Sequence, residues 1–241
     1  SINLQSADLI EVNLSGANLT KATLSSARLI QANLSQANLS EANLNSANLT
    51  TVNLSRANLT QASLPNVNLT GADLSQSKVT KVNLSGANLS GVNFTGVSLT
   101  GANLQGVNLS GMNLSGVNLT GTNLNHAKLI GINLSGANLS GASCVGANLD
   151  GANLTGVSLI GVNLQKVNLS GQNLSGFNLS GVNLSEANLS KADLTSANLC
   201  GANLSSANLQ KTNLKEAKLL GANLDKAKLT GAIMPDGTTH E

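Results

Sequence analysis

The sequence of 241 residues predicts an all-β solenoid, and three spacings predict it. Leucine returns every fifth residue, from Leu4 to Leu229. A smaller apolar residue stands two positions before it, as in Ala17, Val107 and Val182. Of the 24 glycines, 23 fall two positions after the central residue, and only Gly237 does not.

The central column comes first. It runs from position 4 to position 234 without insertion or deletion, which makes 47 repeats, and it is Leu in 43 of them. The exceptions are Val79, Phe94, Cys144 and Met234, all residue types that can be buried. A helix does not fit this period. At about 100° per residue, five residues leave a net rotation of roughly 140°, so the leucines would spiral round the axis. A continuous strand does not fit either. Side chains alternate with period two, and five is odd, so successive leucines would change face. All leucines share one side only if the chain turns inward once per repeat. The small apolar residue and the leucine then both point in. The residue between them, Asn in 33 of the 47 repeats, points out.

The corner follows the leucine. Glycine at its second central position suits a type II turn, which requires φ > 0 there. Pro65 and Pro235 sit one residue earlier, where φ near −65° is wanted. Glycine is dense from Gly86 to Gly181, interrupted by His126 and Lys166. Elsewhere the corner is often Ser, Gln, Glu or Lys, which resist positive φ. The expectation is type II corners in the middle and a different turn at many flanking corners. The Asn columns are expected to form hydrogen-bonded ladders between coils.

Composition narrows the function classes. Apolar residues make up 41% and aromatics 1%, so the core is aliphatic. Charged residues are 10%, against roughly 25% in ordinary domains. A net charge of +2 advertises neither nucleic-acid binding nor a strong acidic field. The strict apolar period argues against the disorder that low charge with abundant Asn, Ser and Gly would otherwise suggest. There is no apolar run of about 18 residues, so this segment is not expected to insert into a membrane. The repeat is already in phase at Ser1, which suggests that upstream chain covers the first coil.

The tandem A-(N/D)-L-x-x pattern resembles the pentapeptide repeat proteins. Gly86-Ala87-Asn88-Leu89-Ser90 and Gly221-Ala222-Asn223-Leu224-Asp225 are typical units. The resemblance spans residues 1–235 and implies a right-handed, quadrilateral β-helix of about 20 residues per coil. That gives about 12 coils, or roughly 56 Å at about 4.8 Å per coil. Residues 236–241 are left as a C-terminal tail, with His240 expected to be disordered. At spacing 20, Thr60, Thr80, Thr100 and Thr120 form an outward ladder, and Ile10 stacks on Ile30. Met112, Ile132 and Gln172 share one inner column, with Phe177 across a corner from Gln172. Such guests should distort a column built mostly of Ala and Val, and a buried Gln172 amide needs a partner. Residues 231–238 resemble the C-terminal end of cyanobacterial members. Some relatives carry the repeats behind a membrane span or kinase domain, which implies a place in a larger membrane or signalling protein.

No catalytic constellation, cofactor site or metal site is read in the chain. His126 is an outward corner without a Cys, Asp or Glu in register. Cys144 replaces a core leucine and is expected to be an inert buried thiol, while Cys200 points outward, so the two should not pair. The Asn-Leu-Ser and Asn-Leu-Thr triplets follow from the repeat and carry no glycosylation signal of their own. The leading reading is a non-enzymatic scaffold for an unknown protein partner, cytoplasmic or tethered through an upstream region. Its expected contacts are Ile10 and Ile30 and the cations Lys211, Lys215, Lys218, Lys226 and Lys228. End-to-end self-association is a further expectation, because an open solenoid edge can pair. Two alternatives compete. Mimicry of DNA toward a topoisomerase, known in some relatives, needs a long negative surface that net +2 opposes. Ice or carbohydrate binding would use the Thr60–Thr120 ladder.

Overall fold

The computed structural model describes residues 2–241. They fall into two compact units, Ser1–Leu109 with Val117–Asn123, and Ser110–Gly116 with Leu124–Glu241. Each unit is a parallel β-helix with a return of twenty residues. In the first, Asn38 bridges Asn58 and Asn83 bridges Asn103; in the second, Asn113 bridges Asn133 and Asn203 bridges Asn223. Four repeats of five residues complete each return, so a coil has four sides.

A single repeat shows why this backbone is stable. In Asn33-Leu34-Ser35-Gln36-Ala37 every N–H finds an acceptor. Asn33 donates to Val12 O at 2.9 Å, Leu34 to Asn53 O at 2.8 Å, and Gln36 to Ser55 O at 2.9 Å. Ala37 closes the corner onto Leu34 O at 3.1 Å. The remaining donor, Ser35 N–H, binds Asn33 Oδ1 at 3.0 Å. Three bonds reach neighbouring coils and two stay local. Because a corner follows so soon, only the Asn-position residue of each side forms a bridge, and the pairing consists of isolated parallel bridges.

Both apolar columns point inward as expected. Leu24 to Leu74 in the central column are at most 2% exposed, and Ala22, Ala27 and Ala32 are fully covered. Val79, Phe94 and Cys144 substitute for leucine at 1%, 5% and 0% exposure. Met234 is only half-buried.

The expected avoidance of positive φ at the flanking corners does not occur. Every corner from Ser6 to Gly231 has positive φ, including 23 that carry a side chain. Those cluster at φ 52–61°, and the glycine corners at 63–73°. The composition therefore shifts φ by about ten degrees within the left-handed region. The reason is non-local. The corner N–H must reach the carbonyl nineteen residues ahead, as Ser26 N–H reaches Asn45 O at 2.9 Å, whatever its own side chain prefers.

The C-terminal segment is also more ordered than expected. Pro235-Asp236-Gly237 turns the chain back, with Gly237 at φ 86° and its N–H on Met234 O. A type I turn followed by a left-handed glycine makes a three-residue hairpin loop. Ile233 then bridges Thr239 in antiparallel fashion. Gly231 N–H donates to His240 O, and His240 N–H to Ala232 O, both at 2.8 Å. His240 is thus part of a hairpin, and the reading of it as disordered is corrected. Side chains near the N-terminus are less covered than those further along the first unit. Ile2 is 48% exposed, and burial is complete only from Leu19 onward.

Candidate partner-binding surface

The outward surface is built from two kinds of position, the Asn column and the corner. Asn Oδ1 atoms cap the corner by accepting the N–H two residues on, as Asn13 does from Ser15 and Asn168 from Ser170. Many also join coils. Asn123 Nδ2 donates to Asn103 Oδ1, whose own Nδ2 donates to Asn83 Oδ1, both at 3.1 Å. The expected ladder is present, and the local capping role is an addition the sequence reading missed. The x-Asn-x-Ser/Thr spacing within each repeat was its signal.

This arrangement occupies the threonine ladder. Thr60 Oγ1 donates to Asn58 Oδ1 at 2.7 Å and Thr120 Oγ1 to Asn118 Oδ1 at 2.6 Å. Thr100 Oγ1 shares a 2.9 Å bond with Ser98 Oγ. These hydroxyl groups serve their own coil, and all four threonines are half-buried.

The expected contact residues divide between the units. Ile10 and Ile30 lie one coil apart in the first unit, and both are half-buried. The most exposed aliphatics are elsewhere, Ile160 at 63% and Leu220 at 84%. They share one column but stand three coils apart, with Ser180 and Cys200 between them, so they form no patch. Lys211, Lys215, Lys218, Lys226 and Lys228 are all exposed in the second unit. Lys218 bridges Asn198 and Lys228 bridges Asn208, whereas Lys211, Lys215 and Lys226 stand at or beside corners. Among the described residues, ion pairs join Lys21 to Glu41, Arg28 to Asp8 and Lys166 to Glu186, and none uses those five lysines.

Polar guests inside the coil follow one rule. Thr122 Oγ1 donates to Leu99 O at 3.0 Å, Thr212 Oγ1 to Leu189 O at 2.7 Å, and Gln172 Nε2 to Leu149 O at 2.7 Å. Each uses the carbonyl 23 residues earlier. Ser77 Oγ, by contrast, is buried without a partner. Gln172 and Phe177 line an opening in the wall, a cleft of about 370 Å³ between Ala152–Gly156 and Gln172–Phe177. Phe177 is half-buried there.

Among the described residues the histidines and cysteines stand apart from one another. His126 stands at a corner with φ 59° and points its ring over the corner of Gly146. Cys144 and Cys200 are free thiols; burial pushes Cys144 up to about 12. Among the described residues no group of His, Cys, Asp and Glu could hold a metal ion, and no helix is long and apolar enough to cross a membrane.

Comparison with known proteins agrees with this geometry. The family described as Pentapeptide repeats matches in eight copies that together run from residue 1 to residue 234. The crystal structure of HetL is that of a pentapeptide repeat protein involved in heterocyst differentiation regulation, from the cyanobacterium Nostoc sp. PCC 7120. It is 38% identical over 99% of this chain and 92% of its own, with a TM-score of 0.36. Rfr23 from the cyanobacterium Cyanothece 51142 is 28% identical over 60% of this chain and 91% of its own, TM-score 0.23. Full-length QnrB1, a plasmid-mediated fluoroquinolone resistance protein, is 17% identical over 77% and 92%, TM-score 0.39. No curated protein sequence matches significantly.

Proposed function

Because the chain belongs to the pentapeptide repeat family, of the cyanobacterial type, and so forms a right-handed β-helix, we propose that it is a non-enzymatic scaffold of about 12 coils that presents its faces to a protein partner. The observation that carries this reading is the wall itself. Its backbone donors are bonded internally, repeat by repeat, so the outward side chains stand at fixed spacing before any partner arrives. A preorganised surface loses little conformational freedom on binding. The regulatory role in HetL's description, over nearly the whole length of this chain, supports an interaction role. The contacts are Ile10 and Ile30 in one unit and the exposed lysines of the other. The setting is a larger cyanobacterial protein, cytoplasmic or tethered through an upstream region, in which end-to-end association is a second mode of contact.

The test is retention of one defined partner from a cyanobacterial extract by the wild-type chain. Its loss is expected when Lys211, Lys215 and Lys218 are changed to Glu, or when Ile10 and Ile30 are changed to Asp. Identical capture by all three chains, or capture no greater than background, would sink the reading. DNA mimicry is opposed by the lysine-bearing surface, since a phosphate-like face must be negative. Inhibition of gyrase supercoiling at micromolar protein would revive it.

A further inference from the structure

Charged residues meet at the twenty-residue register in five places, one of them Glu216 with Asp236 at the C-terminal turn, where the Asp236 carboxylate accepts from Thr238. Three bring opposite charges together: Asp8 with Arg28 at 3.0 Å, Lys21 with Glu41 at 3.4 Å, and Lys166 with Glu186 at 3.5 Å. The fifth is Lys191 with Lys211, two ammonium groups on adjacent coils of one corner column. Both residues are exposed and both are held at positive φ, 60° and 58°. Like charges one coil apart repel, and the left-handed corner favours glycine, so nothing in the fold itself rewards this pair.

A cleft of about 370 Å³ lies at this pair, lined by Ser190, Lys191, Asn208, Gln210, Lys211 and Thr230. The lining contains hydroxyl, amide and ammonium donors and no carboxylate. Lys228, bridged to Asn208, is a further exposed lysine one coil beyond that lining residue. Its neighbour Gly231 leaves room for Lys211, whose Cγ lies where a Cβ on that glycine would make contact at 3.3 Å. The lysine stem therefore leans toward the Gly231 corner. The carboxylate nearest in sequence, Asp193, is engaged by the Thr195 N–H and hydroxyl.

We propose that the Lys191–Lys211 cleft binds a phosphate dianion, free or as a monoester on a protein side chain. Two cations from adjacent coils of one column, lining one cleft, call for a compact anion carrying nearly two charges. A phosphate monoester has about −1.5 to −2 at neutral pH and three strong acceptor oxygens. A carboxylate has half that charge. Lysine suits the task as a point charge. Binding a strand of nucleic acid would need a longer basic track with aromatic platforms, and the chain has two Phe and no Trp or Tyr. This inference goes beyond the scaffold reading and does not depend on it, because phosphate binding is measurable without any protein partner.

The experiment titrates the whole chain, at low ionic strength, with inorganic phosphate, with a phosphoserine peptide and with the same peptide carrying Glu. Lys191→Gln and Lys211→Gln are each expected to weaken phosphoserine-peptide and phosphate binding about fivefold or more. Lys226→Gln, on a different corner, is expected to leave it unchanged. Melting temperatures confirm that these surface variants fold. Tighter binding of the phosphopeptide than of phosphate assigns the monoester, and the reverse assigns the free ion. The proposal is overturned if neither ligand binds, if the Glu peptide binds as tightly as the phosphopeptide, or if Lys226→Gln weakens binding as much as the cleft variants.

Discussion

Leu89 illustrates what a single residue does in this protein. It is 1% exposed in the central column, among other buried apolar side chains. Leu89→Lys would place an ammonium group in an aliphatic interior with no acid to meet it. The expected loss is about 4 kcal/mol or more, seen as failure to fold or a large fall in melting temperature; an unchanged melting temperature would show that this column does not point inward. Corner residues obey a different rule. Ser26 has φ 57° and Gly101 φ 65°, so both corners penalise a β-branched side chain. Gly101→Val is therefore expected to destabilise by roughly 2 kcal/mol, Ser26→Val by about 1 kcal/mol because its serine already bears part of the left-handed strain, and Ser26→Gly to stabilise by up to about 1 kcal/mol. The glycine pattern alone suggests that only Gly101 is sensitive, and comparative denaturant melts decide between the two. For the thiols, burial raises Cys144 to about 12, so it stays protonated and shielded at neutral pH. Alkylation of the native chain at pH 8 should label Cys200 and spare Cys144, as mass spectrometry of the digested product would show.

Among the elements, the C-terminal hairpin departs most from the repeat. Its turn is held by Asp236, whose Oδ1 accepts from the Thr238 hydroxyl at 2.7 Å and the Thr238 N–H at 2.9 Å. Those two bonds, the side-chain one first, lower the Asp236 carboxyl below its ordinary value of 3.8. A depressed carboxyl contributes stability above its unfolded value and loses it as pH falls through the folded one. The hairpin is thus expected to be fully formed at pH 5 and to loosen below 3.8, which NMR amide exchange at Thr239 and His240 would follow. Asp236→Ala should give the low-pH behaviour at every pH. Persistent protection of these amides in that variant would show that Gly237 and the backbone pairs hold the turn unaided. The Pro-Asp-Gly signal for this turn is present in the sequence, but the fading of the five-residue pattern there made it read as a tail.

At the scale of the whole chain, stability within each unit is close to a sum of neighbour terms, because a coil stacks on the coils before and after it. The first coil lacks one neighbour among the described residues. Leu4, Leu9 and Leu14 are half-buried where Leu24, Leu29 and Leu34 are fully covered. Native-state hydrogen exchange should therefore show weak protection for amides in residues 4–19 and strong protection in residues 22–84. Equal protection in both stretches would mean that the first coil is covered, for instance by a second copy of the chain.

The return of twenty residues is fixed by the bridges between coils, whereas the sequence by itself determined which residues are inside and where the corners fall. Those features follow from a strictly repeated apolar pattern, which permits only one side of the wall to be buried. It did not determine the conformation of the corners, because Ser, Lys and Glu are driven to positive φ by a hydrogen bond to a carbonyl nineteen residues away. Nor did it show that Gln172 and Phe177 line a cleft, or that Lys191 joins Lys211 at the edge of another. Lys211, Lys215, Lys218, Lys226 and Lys228 read as one basic run along the chain, yet the register deals them to different columns. Local preference is short-ranged, whereas these outcomes depend on what one coil presents to the next, and only the stacked structure contains that information.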